Sequence, residues 1–291
     1  MDSPVALITG GGSGIGLAVA EHLINLHGYR VAILDIDEQR VKLETETLGS
    51  SRCLGLHVDI TDYNQQARAF KQTFEWGGNR LDLFFANAGI GDSDSMYKDM
   101  FGLDDETGLP KPLNLCSMDV NMNAVLQGMH IARHIFTEKN QKPGGKIIAS
   151  SSVVGIYPNY AMPLYCASKH GLVGLVRALA PVYAKDNISV NCLCPTLIET
   201  NLMPKHMVRE FHVPAETTPM STALRAIDRV VQDNSLTGQV MELTLDEVVF
   251  KHKPEYSRPN VKWMFDQMEM WERVCEPVGL HFLSLQALLT F

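Results

Sequence analysis

The 291-residue chain carries 25 Lys and Arg against 33 Asp and Glu, a formal charge of −8, with 45% hydrophobic and 20% charged residues. That balance suits one large α/β domain, or a domain with an appendage, and supplies ample material for a core. It excludes the basic footprint of a nucleic-acid partner, and no Lys/Arg cluster points to an anionic membrane surface.

In chain order, VALITG is a short apolar run ending in glycines, which predicts a buried strand. GIGLAVAEHLINLHG follows at helical spacing and stops at Gly28. RVAILDID predicts a second strand, DEQRVKLETETL a polar helix, and CLGLHVDI a third strand. A helix over Asp62 to Trp76 leads into LDLFFANAG, the fourth strand. Leu113 to Asn140 predicts a long helix, GKIIASSS a fifth strand, and Tyr160 to Lys185 another helix. ISVNCLCP and GQVMELTL complete about seven strands. Strands alternate with helices and are continuous apolar runs. The implied fold is α/β: a Rossmann-like, doubly wound parallel sheet with helices on both faces. Residues 91–112 form a polar loop that either borders a site or is solvated. The domain spans 1–249, and 250–291 form a C-terminal extension expected to pack on it or on a partner subunit.

TGGGSGIG, Thr9 to Gly16, joins the first strand to the first helix. Gly10, Gly12, Ser13, Gly14, Ile15 and Gly16 would bring backbone amides and a helix N-terminus to a pyrophosphate. A tight turn alone needs similar residues; the βαβ setting is what points to a dinucleotide. Asp35 ends the second strand, where an acid accepts from adenosine ribose hydroxyls and repels a 2′-phosphate. Ser13 is neutral, and Asp37 stands where an arginine would serve a phosphate. The expected cofactor is therefore NAD. Asp35 also has a plainer reading as a helix N-cap, which leaves the ribose contact open. Asp59 with Ile60 ends the third strand and Asn87, Ala88 and Gly89 the fourth, at the carboxyl edge where open sheets bind ligands. Asp59 is a candidate for the adenine amino group and Asn87 for the adenosine side.

PLYCASKHGLVG sets Tyr165 and Lys169 one helical turn apart on one face. A free phenol, with a pKa of about 10, is a poor base at neutral pH. A neighbouring ammonium, helped by the positive ring of a bound nicotinamide, favours the phenolate and brings it towards working range. SSSVVG places Ser152 at the end of the fifth strand, where its hydroxyl can hold a substrate oxygen beside the tyrosine. Asn121, in MDVNMN, sits inside a predicted helix, an unfavourable place for asparagine. Either it faces solvent, or its side chain binds water and passes protons through Lys169.

TGxxxGIG, NAG, an asparagine, a serine and YxxxK, in that order over residues 4–245, resemble the short-chain dehydrogenase/reductase family. PLYCASKHGLVG and LTGQVMELT are most similar to its NAD-linked members. The resemblance implies a catalytic tetrad of Asn121, Ser152, Tyr165 and Lys169. Tyr165 would be the acid/base, Ser152 would orient the substrate oxygen, and Lys169 would also hold the nicotinamide ribose. It further implies Pro195, Ile198 and Thr200 beside the cofactor, and a homodimer or homotetramer. Three positions depart from the pattern: Ala86 precedes Asn87 in place of a second asparagine, Thr196 replaces a glycine, and TLDEV replaces a glycine pair. Thr196 brings a side chain to the nicotinamide end of the site.

Residues 197–220 lie where that family places a mobile substrate loop. Met203, Met207, Phe211 and Met220 either make an adaptable apolar pocket or pack a short helix. In the tail, Val261, Met264, Phe265, Met268, Trp271 and Cys275 fall on one helical stripe, read as core or subunit packing, with a substrate lid second. LHFLSLQALLTF is too short to span a bilayer. The six cysteines show no CxxC or zinc-type spacing; Cys192 and Cys194 share a strand face, and His130, His134 and His170 have no metal-type partners. No metal is expected. MDSPVALITG lacks a signal-peptide pattern, so a cytoplasmic protein without a membrane partner is expected. The expected activity is NAD-dependent oxidation of a secondary alcohol on a bulky apolar molecule of oxylipin, steroid or terpenoid type. The alternatives are a ketoreductase of small-molecule biosynthesis, or a cofactor-binding member without redox turnover.

Overall fold

The structure, a computed structural model, describes residues 3–98, 100–200 and 217–267. Seven strands pair in parallel: β1 (Val5–Thr9), β2 (Arg30–Asp35), β3 (Cys53–His57), β4 (Leu83–Ala86), β5 (Gly145–Ser150), β6 (Ile188–Pro195) and β7 (Val240–Thr244). Their order is β3-β2-β1-β4-β5-β6-β7, the doubly wound arrangement. An eighth strand, β8 (Glu247–Phe250), adds antiparallel to β7. Leu245, at φ 48°, and Asp246 form the turn between them, so TLDEV is the tip of a hairpin. Four residues are too few to show a period in the sequence.

Alternate side chains of each strand feed two cores. Val5 and Leu7 of β1 pack with Phe70, Phe84 and Phe136 on one face, and Ala6 and Ile8 with Val19, Leu23 and Ile227 on the other. Burial on both faces is why the strands read as unbroken apolar runs.

The helices are α1 (Gly14–His27), α2 (Glu38–Leu48), α3 (Tyr63–Trp76), α4 (Cys116–Met118), α5 (Ala124–His134), α6 (Pro163–Tyr183), α7 (Met220–Gln232) and α8 (Pro259–Asp266). A π-helical turn, Asp119–Asn123, joins α4 to α5, and a second, Ile135–Lys139, follows α5. The expected long helix is thus one run with two widened turns. Asp37 caps α2 by accepting from the Arg40 amide, and Asp62 caps α3 by accepting from Asn64 and Gln65. Met162, at the same position of α6, offers no side-chain acceptor.

α1 and α7 lie on one face and are clasped by two imidazoles. His22 and His27 both direct Nε2 at Asp228 Oδ1, at 2.6 and 2.7 Å. These are hydrogen-bond separations, shorter than the roughly 3.3 Å between neighbouring ligands of a tetrahedral zinc.

The 91–112 loop is pinned at both ends. Buried Asp94 accepts from the amides of Ser95 at 2.7 Å and Asn114 at 2.8 Å, and Leu103 bridges Pro110. The chain divides into two compact units after Lys251. Within the second, Tyr256 stacks on Phe265 at 5.2 Å and Lys262 pairs with Asp266 at 2.6 Å. Met268, Trp271, Cys275 and the terminal LHFLSLQALLTF lie outside the described residues. Among the described residues no helix is long and apolar enough to cross a membrane.

Candidate active site

A cavity of about 620 Å³ opens at the carboxyl edge of the sheet, where strand order reverses between β1 and β4. One wall is the glycine turn, through Gly10, Ser13, Gly14 and Ile15. Gly10 sits at φ 65°, and a Cβ there would come within 2.9 Å of the Ala88 Cα. Gly16 forms no part of the wall, but a Cβ on it would overlap the Gly10 carbonyl oxygen. It lets α1 start directly against the turn. Gly12, also outside the wall, donates its amide to Asp35 Oδ2 at 2.9 Å. That bond fixes the turn to the end of β2 and holds the Asp35 carboxylate at the cavity surface. Asp35 is not the cap of α2; its Oδ1 accepts from Asp37, which is.

Asp59 and Ile60 line the next stretch of wall, with Asp59 Oδ1 accepting from the Thr61 amide at 2.9 Å and hydroxyl at 2.7 Å. Asn87, Ala88 and Gly89 follow. Asn87 donates from Nδ2 to the carbonyls of Thr9 and Gly10 at 3.1 and 3.3 Å, and its Oδ1 accepts from the Ser150 hydroxyl at 3.1 Å. One amide thereby ties together the ends of β1, β4 and β5.

Ser152, Tyr165 and Lys169 meet on the opposite wall. Ser152 Oγ lines the cavity with Tyr165, donates to the Pro195 carbonyl at 3.5 Å and caps a short 3₁₀ turn by accepting from the Val154 amide at 3.2 Å. Burial pushes the phenol above its ordinary value, the neighbouring Ser152 hydroxyl pulls it back, and the Asp92 carboxylate adds to the rise. Lys169 donates from Nζ to the Ser150 carbonyl at 2.7 Å and stands 5.4 Å from the centre of the Tyr165 ring. Burial lowers its own pKa to about 8. In the chain alone the phenol is thus raised, whereas the expected lowering calls on Lys169 together with a bound nicotinamide ring. Desolvation outweighs other influences on Tyr165, and the ammonium is engaged with a backbone carbonyl.

Of the two expectations for Asn121, exposure to solvent is excluded. It is fully buried in the π-helical turn, accepts from the Ile90 amide at 2.9 Å, and donates to the Ile90 carbonyl at 2.9 Å and to Ser168 Oγ at 3.3 Å. The widened turn swings the side chain inward, where it pairs with Ile90 as a strand neighbour would. It does not face solvent and is not part of the cavity wall; its Oδ1 and the Lys169 Nζ both lie close to Gly89.

Pro195, Ile198 and Thr200 complete the far wall, with Thr196 among them. The Thr196 hydroxyl bonds Thr218 Oγ1 at 2.5 Å and the Leu243 carbonyl at 3.0 Å, so it is turned to the sheet edge. Met203, Met207 and Phe211 lie outside the described residues. Met220 starts α7 and packs on the α1-side core, away from the cavity wall.

Two residues at the site escaped the sequence. Ser150 supplies the carbonyl for Lys169 and the hydroxyl for Asn87. Asp92, in the 91–112 loop, accepts from the amides of Tyr165 at 2.6 Å and Leu164 at 3.1 Å. The only signal for it was negative, a helix beginning at Pro163 without a capping residue before it.

The family model for short chain dehydrogenases matches residues 4–209. A short-chain dehydrogenase/reductase of Penicillium rubens, prx6, is 30% identical over 248 residues, covering 84% of this chain and 81% of its own. The NAD(+)-named 15-hydroxyprostaglandin dehydrogenase of Mus musculus is 27% identical over 264 residues, covering 84% of this chain and 91% of its own. The fold is shared with a 3-ketoacyl-(acyl-carrier-protein) reductase from Brucella melitensis, solved with NADH, at a TM-score of 0.70 and 23% identity over 84% of this chain and 97% of that one. With the glycine turn, Ser152, Tyr165 and Lys169 gathered at one sheet edge and the family pattern matched across most of the α/β unit, the chain belongs to the short-chain dehydrogenase family of oxidoreductases.

Proposed function

We propose that this protein is an NAD-dependent dehydrogenase that interconverts a secondary alcohol and a ketone on a bulky, largely apolar small molecule, with oxidation favoured. The observation that carries the reading is the meeting of Ser152, Tyr165 and Lys169 across one cavity from the glycine turn and Asp35. The wall fits the cofactor. Gly10, Ser13, Gly14 and Ile15 line it with a glycine turn at the start of α1, and Asp35, steadied by Gly12, offers ribose hydroxyls an acceptor and repels a 2′-phosphate. Similarity to dehydrogenases named for NAD supports the same choice. When bound, NAD supplies the hydride acceptor.

Around it the chain's own groups divide the work. Ser152 Oγ holds the substrate oxygen, and Tyr165 Oη takes the hydroxyl proton. Lys169, still charged below about pH 8, keeps a cation 5.4 Å from the ring on which negative charge develops. The same reading takes the protein to be cytoplasmic and a homodimer or homotetramer. A second reading, ketone reduction, has one observation in its favour. A phenol raised by burial stays protonated at neutral pH and is set to give its proton to a carbonyl.

The test is NADH formation from NAD with a panel of secondary alcohols, and NADH consumption with the matching ketones. Tyr165→Phe should abolish turnover and leave NAD affinity within a few-fold. Near-normal turnover in that variant removes the acid/base assignment, and failure to bind either NAD or NADP removes the redox reading altogether.

A further inference from the structure

We propose that Asp92 is a positioning residue for Tyr165, supplying from a distant loop the helix cap that α6 lacks and so fixing the backbone that carries the phenol. The catalytic consequence rests on the reading of Tyr165 as proton carrier; the capping geometry does not.

The first residues of a helix have amides with no partner inside it. In α6 the first is Pro163, which has no amide hydrogen, so Leu164 and Tyr165 carry the leading unpartnered donors. An ordinary cap would come from the residue just before, but Met162 has nothing to offer. Asp92 fills the place with both carboxylate oxygens, Oδ1 on Tyr165 at 2.6 Å and Oδ2 on Leu164 at 3.1 Å. A carboxylate at a helix N-terminus also meets the positive end of the helix dipole, and charge-assisted bonds of this kind are the stronger sort.

Tyr165 is thus one of the two residues capped. Lys169, a turn further on, is held separately by Ser150. The support behind Asp92 is continuous. β4 ends in Asn87, Ile90 is clamped on both its amide and carbonyl by Asn121, and Asp92 follows two residues later. A strut therefore runs from the sheet edge to the start of α6. Its carboxylate opposes ionisation of the phenol it positions. A neutral cap would avoid that opposition, so the two-oxygen grip is what Asp92 contributes.

The experiment uses the full chain labelled with 15N and with 13C at tyrosine Cζ, the Tyr165 ring signal being identified by its loss in Tyr165→Phe. In Asp92→Ala the Leu164 and Tyr165 amides should exchange at least tenfold faster, and the Tyr165 ring signal should move. Asp92→Asn keeps one acceptor oxygen. It should release only one of the two amides and return the ring signal towards its wild-type position. A ring signal unmoved in Asp92→Ala overturns the proposal. Should Asp92→Ala not fold, Asp92→Asn decides, and wild-type protection at both amides overturns it. Retained turnover in Tyr165→Phe would instead sink the catalytic reading and leave the capping result standing.

Discussion

The Lys169 ammonium is bonded to the Ser150 carbonyl at 2.7 Å, which fastens the first turns of α6 to the end of β5. A lysine this deeply buried is held in the fold at a cost, because desolvation favours its neutral form and lowers its pKa from 10.5 to about 8. Between those values the unfolded chain binds the extra proton, so this group makes stability rise with pH across the window. The amount is on the order of 3 kcal/mol. Lys169→Met should therefore fold more stably than the wild type at pH 7, with the gap closing as pH approaches 10.5, while turnover is lost. Urea unfolding of both proteins at pH 7 and pH 10 measures it. A Met variant less stable than the wild type at pH 7 would mean that the bond to Ser150 outweighs desolvation.

Ser152 opposes burial at Tyr165, since its hydroxyl is the influence that lowers the phenol's pKa. Removing the hydroxyl in Ser152→Ala should let the phenol rise further. The expected result is a shift of the rising limb of kcat/KM for alcohol oxidation to higher pH, with a loss of roughly 10² or more in rate. The pH profile with whichever alcohol the NAD screen selects checks both. An unmoved limb with a lowered rate would leave Ser152 a role in holding substrate alone.

The positions of Ser152, Tyr165 and Lys169 were legible because each is local. A strand end and a helix turn place them, and apolar runs and glycines announce both. The direction of the phenol's shift was not legible, because spacing reveals a neighbouring charge but not the desolvation that outweighs it. The partners of Asn121, and Asp92 altogether, were hidden for another reason. Asn121 and Asp92 lie 31 and 73 residues from Ile90 and Tyr165, and no periodicity encodes a side chain reaching a distant backbone. β8 was too short to be seen beside the turn that makes it.

Asp35 carries two duties that one substitution separates. Asp35→Asn keeps an acceptor for the Gly12 amide and removes the charge that opposes a 2′-phosphate, whereas Asp35→Ala removes both. Asn should narrow the preference for NAD over NADP by about tenfold or more, which is roughly 1.4 kcal/mol. Ala should narrow it similarly and also weaken both cofactors by loosening the turn. Calorimetric titration of each protein with NAD and NADP separates the cases. An unchanged ratio in both variants would assign the preference to another residue.

Thr196 stands where the family pattern has glycine, and its side chain is engaged at the sheet edge with Thr218 and Leu243. Thr218 in turn accepts from the Leu245 amide at 2.7 Å and donates its own amide to the Leu197 carbonyl at 2.8 Å. The pair therefore joins β6, the β7–β8 turn and both ends of the segment between residues 197 and 218. Thr196→Val keeps the bulk and deletes the hydroxyl; Thr196→Gly deletes both. If the hydroxyl clasp is what the residue supplies, both variants should lose about 1 kcal/mol of stability, with Gly losing more through chain entropy. If bulk beside the cavity also restrains the cofactor, only Gly should change NAD affinity. Thermal unfolding with and without NAD reads the two effects apart, and a Val variant as stable as the wild type would dismiss the clasp.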